Sequence, residues 1–167
     1  MKSMQELPIS KDLTRKLRSL HYEKEIINYV SDFQSEAYLA GHKNLAGIRI
    51  IFEKFFKDTV KVAHDQHGIL LNEEWIIYDD DWTKFWGLRE FLRKIGILTP
   101  AESNFVASFY GVLSDGGSHG GETELSSIQA EIICIFIFDL IATRMKKRAK
   151  RHHTVNKKRP VDVYHLA

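Results

Sequence analysis

The chain has 167 residues, 44% of them hydrophobic, and a net charge of +2. That is the size and apolar content of one domain with its own core, and it excludes wholesale disorder. A single cysteine, Cys134, excludes an internal disulfide framework and a Cys-rich zinc site. The opening residues lack the apolar stretch of a secretory signal, which predicts a reducing, cytoplasmic compartment.

Leu13, Leu17 and Leu20 predict a short amphipathic opening segment after Pro8, with Ser10 as its N-cap. Between Glu23 and Leu39 the apolar positions Ile26, Ile27, Tyr29, Val30, Phe33, Ala37 and Tyr38 recur at helical spacing, and Gly41 ends that helix. A longer helix is predicted from Lys43 to His67. Its stripe is Leu45, Ile48, Phe52, Phe55, Thr59 and Val62, and Gly68 stops it. The stretch 69–78 reads equally as a short strand or an extended segment. Asp79, Asp80 and Asp81 then favour the start of a third helix, running from Trp82 to Ile95 and closed by Gly96.

Thr99-Pro100-Ala101-Glu102 restarts the chain as a capping box, with Thr99 as N-cap and proline at the first helical position. That fourth helix carries Phe105, Val106, Phe109, Val112 and Leu113. The glycines at 116, 117, 120 and 121 predict no regular structure over 114–121, a Gly-rich loop before the last long helix. The last segment runs from Glu122 to about Arg148. Its seven-residue apolar run, 132–138, leaves a buried strand open, but the periodic face that continues past it decides for a helix. Asp139 and the shortness of the run argue against a membrane span. A helix apolar all round is the central element of a bundle or one shared with a second subunit. The fold class read from the pattern is therefore all-α, a helical bundle of four to five helices. Residues 1–143 form one domain and 149–167 a basic, flexible tail.

The small net charge hides an asymmetry. Residues 144–167 hold nine basic residues against Asp162 alone, a net of +8, while 1–143 hold 15 basic and 21 acidic residues, a net of −6. Lys146, Lys147, Arg148, Lys150, Arg151, Lys157, Lys158 and Arg159 are the candidate nucleic-acid contacts. A solvated helix end with cations facing the negative end of its dipole is the competing reading.

Other constellations carry less. His64 and His67 stand at i, i+3, but further metal ligands are missing from the pattern. The aspartates 79–81 cap a helix more readily than they share a cation, because consecutive helical side chains point apart. Cys134 has no basic neighbour in sequence and reads as an inert core thiol. Asp139, if buried, needs a partner, supplied by helix packing or a dimer interface. No metal or cofactor is expected. In the Gly-rich stretch, Ser114, Asp115 and Ser118 surround His119. Glycines there allow close approach of a ligand or a second chain, or the stretch is a plain connector.

Four stretches, 36–41, 47–53, 88–98 and 109–119, carry a resemblance: Glu36-Ala37-Tyr38-Leu39-Ala40-Gly41, Gly47 to Glu53, Leu88 to Leu98, and Phe109 to His119. Together they resemble the HEPN superfamily (higher eukaryotes and prokaryotes nucleotide-binding). The similarity is to its branch of bacterial domains of unknown function in restriction, abortive-infection and other phage-defence proteins. The resemblance implies a helical bundle that forms a homodimer. It also implies, in active members, metal-independent RNA cleavage by an arginine followed after four to six residues by a histidine. His119 matches the histidine; positions 112, 113 and 114 are Val, Leu and Ser, so the arginine is missing. Arg49 and Glu53, at i, i+4, correspond to an arginine and glutamate of this branch, and Arg49 is the candidate substitute for the absent charge. An intrahelical ion pair is the competing reading of these two.

Two functions are thus expected. The first is a non-catalytic module of a defence system that pairs with itself or a larger partner and contacts nucleic acid through its tail. The second is a metal-independent endoribonuclease, with His119 as acid/base, Arg49 as phosphate clamp and Glu53 beside it. An accessory domain of a larger defence enzyme is a third reading.

Overall fold

A computed structural model describes residues 8–33, 44–67, 84–118 and 125–158, and nearly all of these are helical. The helices are α1 (Pro8–Ser19), α2 (Lys24–Asp32), α3 (Leu45–His67), α4 (Phe85–Lys94), α5 (Pro100–Ser118) and α6 (Ser127–Lys158). The fold is an all-α bundle, with no strand among the described residues. Segment 132–138 lies wholly within α6, as its continuing periodicity predicted. No helix among the described residues is long and apolar enough to cross a membrane.

α3 is the hub: it packs on α5 and α6 and also touches α4 and α2, while α1 packs against α2 and α6. Its aromatic residues build the centre. Phe52 contacts Phe56, Phe85, Phe109 and Phe138, and Phe55 stacks on Phe138 with ring centroids 3.8 Å apart. Burying a side chain of this size contributes about 1.5–3 kcal/mol. The leucines of α1, Leu13 and Leu17, are fully buried beneath this layer.

Two helix ends use the same device. Gly96 adopts φ +78° after α4, with its N–H bonded to Arg93 O and the Ile97 N–H bonded to Leu92 O. This is the left-handed cap in which a residue free of Cβ closes the last turn, as expected for Gly96. After α1 the left-handed position falls on His21 (φ 63°), and the Tyr22 N–H reaches back to Leu17 O.

Several boundaries differ from the sequence pattern. Ser10 lies inside α1 and is not its cap. α2 ends at Asp32 with Phe33 as C-cap, earlier than Leu39. The polar Ser31-Asp32 pair, which competes for backbone hydrogen bonds, stands at that end. Gly41, Gly68, the stretch 69–78, the aspartates 79–81 and Trp82 lie outside the described residues.

Within the stretch 114–121, the described residues 114–118 are helical. α5 continues through Ser118 and takes in Gly116 and Gly117. A helical glycine costs roughly 1 kcal/mol, which a helix already nucleated and packed can carry. At the other end, α6 starts at Ser127, not Glu122. A second capping box sets that start, the Ser126 N–H bonding Gln129 Oε1 and the Gln129 N–H bonding Ser126 Oγ. The helix then runs to Lys158, beyond the boundary near Arg148, so 149–158 is helix and not tail. Ala, Lys and Arg are strong helix formers, and the cations oppose the dipole at that end.

Buried and half-buried polar groups find specific roles. Asp139 accepts a hydrogen bond from Lys16 Nζ at 3.0 Å, and the same ammonium bonds Thr143 Oγ1 at 2.8 Å. Its partner is therefore supplied by packing of α1 on α6. Cys134 is fully buried, and burial pushes its thiol well above the ordinary value, as suits an inert core residue. Glu131 is fully buried, with Tyr29 Oη donating to its Oε1 at 3.2 Å. Desolvation pushes its carboxyl up to about 7.

The Thr99 capping box forms in full, the Thr99 N–H bonding Glu102 Oε2 and the Glu102 N–H bonding Thr99 Oγ1. Arg144 of α6 also grips the Glu102 carboxylate. The Arg144 hydrogen bond, aided by Thr99, holds that carboxyl down to about 2 from 4.5. A carboxyl depressed in the fold stabilises fully above its unfolded value and loses that contribution as pH falls toward 2. Glu102→Gln is therefore expected to lower the melting midpoint by about 2–4 °C at pH 7. Thermal melts across pH 2–5 should show the variant losing part of the acid-side decline of the parent.

Candidate nucleic-acid interface

The second half of α6 carries the charge run on a helix of known orientation. Met145 is its last fully buried residue before the cations dominate. Lys147, Lys150 and Arg151 are exposed, while Lys146 and Arg148 are half-buried. Lys157 and Lys158 belong to the same helix, and Arg159 lies outside the described residues. Arg144, Lys147, Arg148 and Arg151 stand at i, i+3, i+4 and i+7, the spacing of one helix face. That face meets the turn between α4 and α5.

The turn is held by arginines from α6. Arg144 donates from Nη1 to Ile97 O at 2.9 Å, and its Nη2 meets Glu102 Oε1 at 2.7 Å. Arg148 donates from Nη1 to Ile95 O. Carbonyls just past a helix end lack intrahelical donors, so these contacts satisfy groups that would otherwise need water. Together they enclose an open cavity of about 510 Å³, lined by Ile95, Gly96, Ile97, Arg144, Lys147, Arg148 and Arg151.

The charge balance of this groove is one-sided. Arg144 is neutralised by Glu102. Lys147, Arg148 and Arg151 have no acidic partner among the described residues, and the groove lining holds no Asp or Glu. Burial lowers the Arg148 guanidinium from its ordinary value, and the arginine side chain is a cation at neutral pH. Its Nε is buried without a hydrogen-bond partner. Three cations around a concave surface with apolar walls concentrate positive potential, which suits a phosphate-bearing ligand.

Of the residues singled out in the sequence, Lys147, Arg148 and Arg151 are brought together here. Lys146 and Lys150 share the helix but do not line the groove. Pattern reading missed Arg144 as an organiser and the Ile95–Ile97 turn as the opposing wall. Arg144 carried a visible signal, one turn before Lys147 and Arg148; the turn carried none.

A second polar cluster joins α3 to α5. Arg49 Nε lies 3.6 Å from Glu53 Oε1, so the i, i+4 ion pair forms. Tyr110 Oη donates to the same Glu53 oxygen at 2.6 Å, and Ser114 hydrogen-bonds Tyr110 in turn. Burial, then the Glu53 carboxylate, pushes the Tyr110 phenol up. Arg49 and Glu53 side chains keep about a third of their surface in solvent, at 32% and 29%. Tyr110 and Ser114 were not linked to this pair by sequence reading, because helix pairing decides the contact. Asp115 and Ser118 fall within the last turns of α5. His119 lies outside the described residues, and so does its separation from Arg49. The side chains of His64 and His67 also lie outside them. Among the described residues, no group of three or more His, Cys, Asp or Glu side chains is placed to hold a metal ion.

Comparison of the chain with protein-family models, curated proteins and solved structures finds no match.

Proposed function

We propose that this chain is a HEPN-like helical module of a prokaryotic defence system that associates with nucleic acid through the second half of α6. One observation carries the reading: Lys147, Arg148 and Arg151 surround a groove and have no acidic partner among the described residues. A purely structural charge run would be expected to find carboxylates, as Arg144 and Lys16 do. The missing motif arginine at positions 112–114 supports binding without cleavage.

The same helix supports pairing with a second copy. On its first half, Ile128, Ile132 and Phe136 are 48%, 40% and 60% exposed, at i, i+4 and i+8. Apolar side chains aligned along one face are the usual seam of helix pairing. An antiparallel arrangement of two copies keeps their cationic halves at opposite ends, whereas a parallel one sets like charges side by side. A larger defence-system protein is the other partner this reading accommodates.

The alternative, a metal-independent endoribonuclease, draws support from the Arg49–Glu53–Tyr110–Ser114 cluster. It links Arg49 to the helix that leads on to His119. In that reading His119 transfers the proton and Arg49 holds the scissile phosphate.

Three measurements test these readings. Binding to a labelled oligonucleotide should weaken steeply with salt, and Lys147→Gln with Arg151→Gln should make the log–log slope shallower by about 1.4 for a single strand; an unchanged slope contradicts the interface. Light scattering should give a dimer that Phe136→Glu converts to monomer, and a monomeric parent contradicts the seam. Incubation with mixed RNA should show no cleavage; cleavage abolished by His119→Ala would replace the first reading with the second.

A further inference from the structure

The groove has a feature that electrostatic association with nucleic acid does not need. Its central cation is recessed. Lys147 and Arg151 stand exposed at the rim, while Arg148 is half-buried, with one terminal nitrogen fixed on Ile95 O. Its other terminal nitrogen, Nη2, makes no hydrogen bond among the described residues. Beside it, the wall is the backbone of the Ile95–Ile97 turn. Gly96 there is exposed, and a Cβ added to it would meet nothing within 4 Å.

A duplex presents its phosphates on a stiff convex surface. Rim cations reach such a surface, but a recessed one does not. An unpaired nucleotide is narrow and flexible, and a cavity of about 510 Å³ falls in the range that holds small ligands. Its base has an apolar face to lay on Ile95 and the bare Gly96 backbone, and its phosphate suits a guanidinium already oriented by a backbone carbonyl.

We infer that this groove is a single-strand subsite, in which Arg148 seats one phosphate and the Gly96 turn accepts the adjoining unpaired nucleotide. The inference rests on the nucleic-acid reading above and sharpens it: rim charges supply general affinity, and the recessed arginine supplies preference for unpaired chain. Lys147 and Arg151 lie about one turn apart, about 6 Å along the axis, and follow the strand as it leaves the groove.

The test is fluorescence anisotropy on the full chain at fixed salt, with a short single-stranded oligonucleotide and a hairpin duplex of equal composition. The parent should bind the single strand about tenfold more tightly than the duplex. Arg148→Gln removes the seat. Gly96→Asn fills the mouth without changing charge, and asparagine tolerates the left-handed backbone there. Each should lower single-strand affinity by about tenfold and so erase the preference. Equal binding of strand and duplex by the parent, or a preference that survives Gly96→Asn, overturns the subsite while leaving the broader interface standing. Displacement of the strand by a nucleoside monophosphate at comparable concentration also overturns it, assigning the groove to a free nucleotide. Binding of neither probe contradicts both readings. Should Arg148→Gln fail to fold in a circular dichroism melt, Gly96→Asn alone decides.

Discussion

The grip of two α6 arginines on the turn between α4 and α5 organises this molecule. Arg144 holds Ile97 O and the Glu102 carboxylate, and Arg148 holds Ile95 O. Glu102 is at the same time the third residue of the Thr99 capping box. One carboxylate therefore starts α5 and anchors α6, so the end of one helix, the start of the next and the middle of a third are mutually dependent. Partly buried, charge-assisted contacts of this kind are stronger than surface ion pairs, because less solvent screens them. The arrangement also fixes what remains uncompensated. Arg144 is spent on structure, and the cations that follow it are left facing a groove.

The long helix α6 does three kinds of work along its length. Its inner face, from Ala130 to Met145, fills the core against α1 and α3, with Phe138 stacked on Phe55. Its outer face is apolar at Ile128, Ile132 and Phe136, and cationic from Lys147 onward. A helix that is hydrophobic on both sides in one half and charged in the other has little net amphipathicity, although each half is well patterned. The proposed module would use this division, with a second chain and a nucleic acid on separate halves of one helix.

Much of this was legible in the residues because it is local. The Thr99 capping box, the closure of α4 by Gly96 and the helical face through 132–138 all depend on neighbours within a turn or two. So did the Ser126–Gln129 box, whose pattern was present but overlooked beside the glycines that precede it. The glycines at 116 and 117 signal a break, yet a packed helix carries them. The competing principle was propagation from a formed helix, which costs far less than nucleation. The continuation of α6 through 149–158 was hidden for a different reason: a run of cations reads as a frayed end, although lysine, arginine and alanine favour helix. Arg49 and Glu53 were correctly paired, since i, i+4 contacts are local. Tyr110 and Ser114, which complete their cluster, were not. The groove was illegible as such: Arg144 and Arg148 meet Ile97 and Ile95 across 47 and 53 residues of sequence. Composition marked which residues carry charge, and only packing decided which of them share a surface.

The most direct measurement of the central claim is a two-dimensional amide NMR titration of the isotope-labelled chain with a single-stranded oligonucleotide. The backbone signals of Gly96 and Ile97 and the Arg148 side-chain signal should move together, saturating at one strand per groove. Shifts confined to residues beyond 158, with the turn unperturbed, would contradict it.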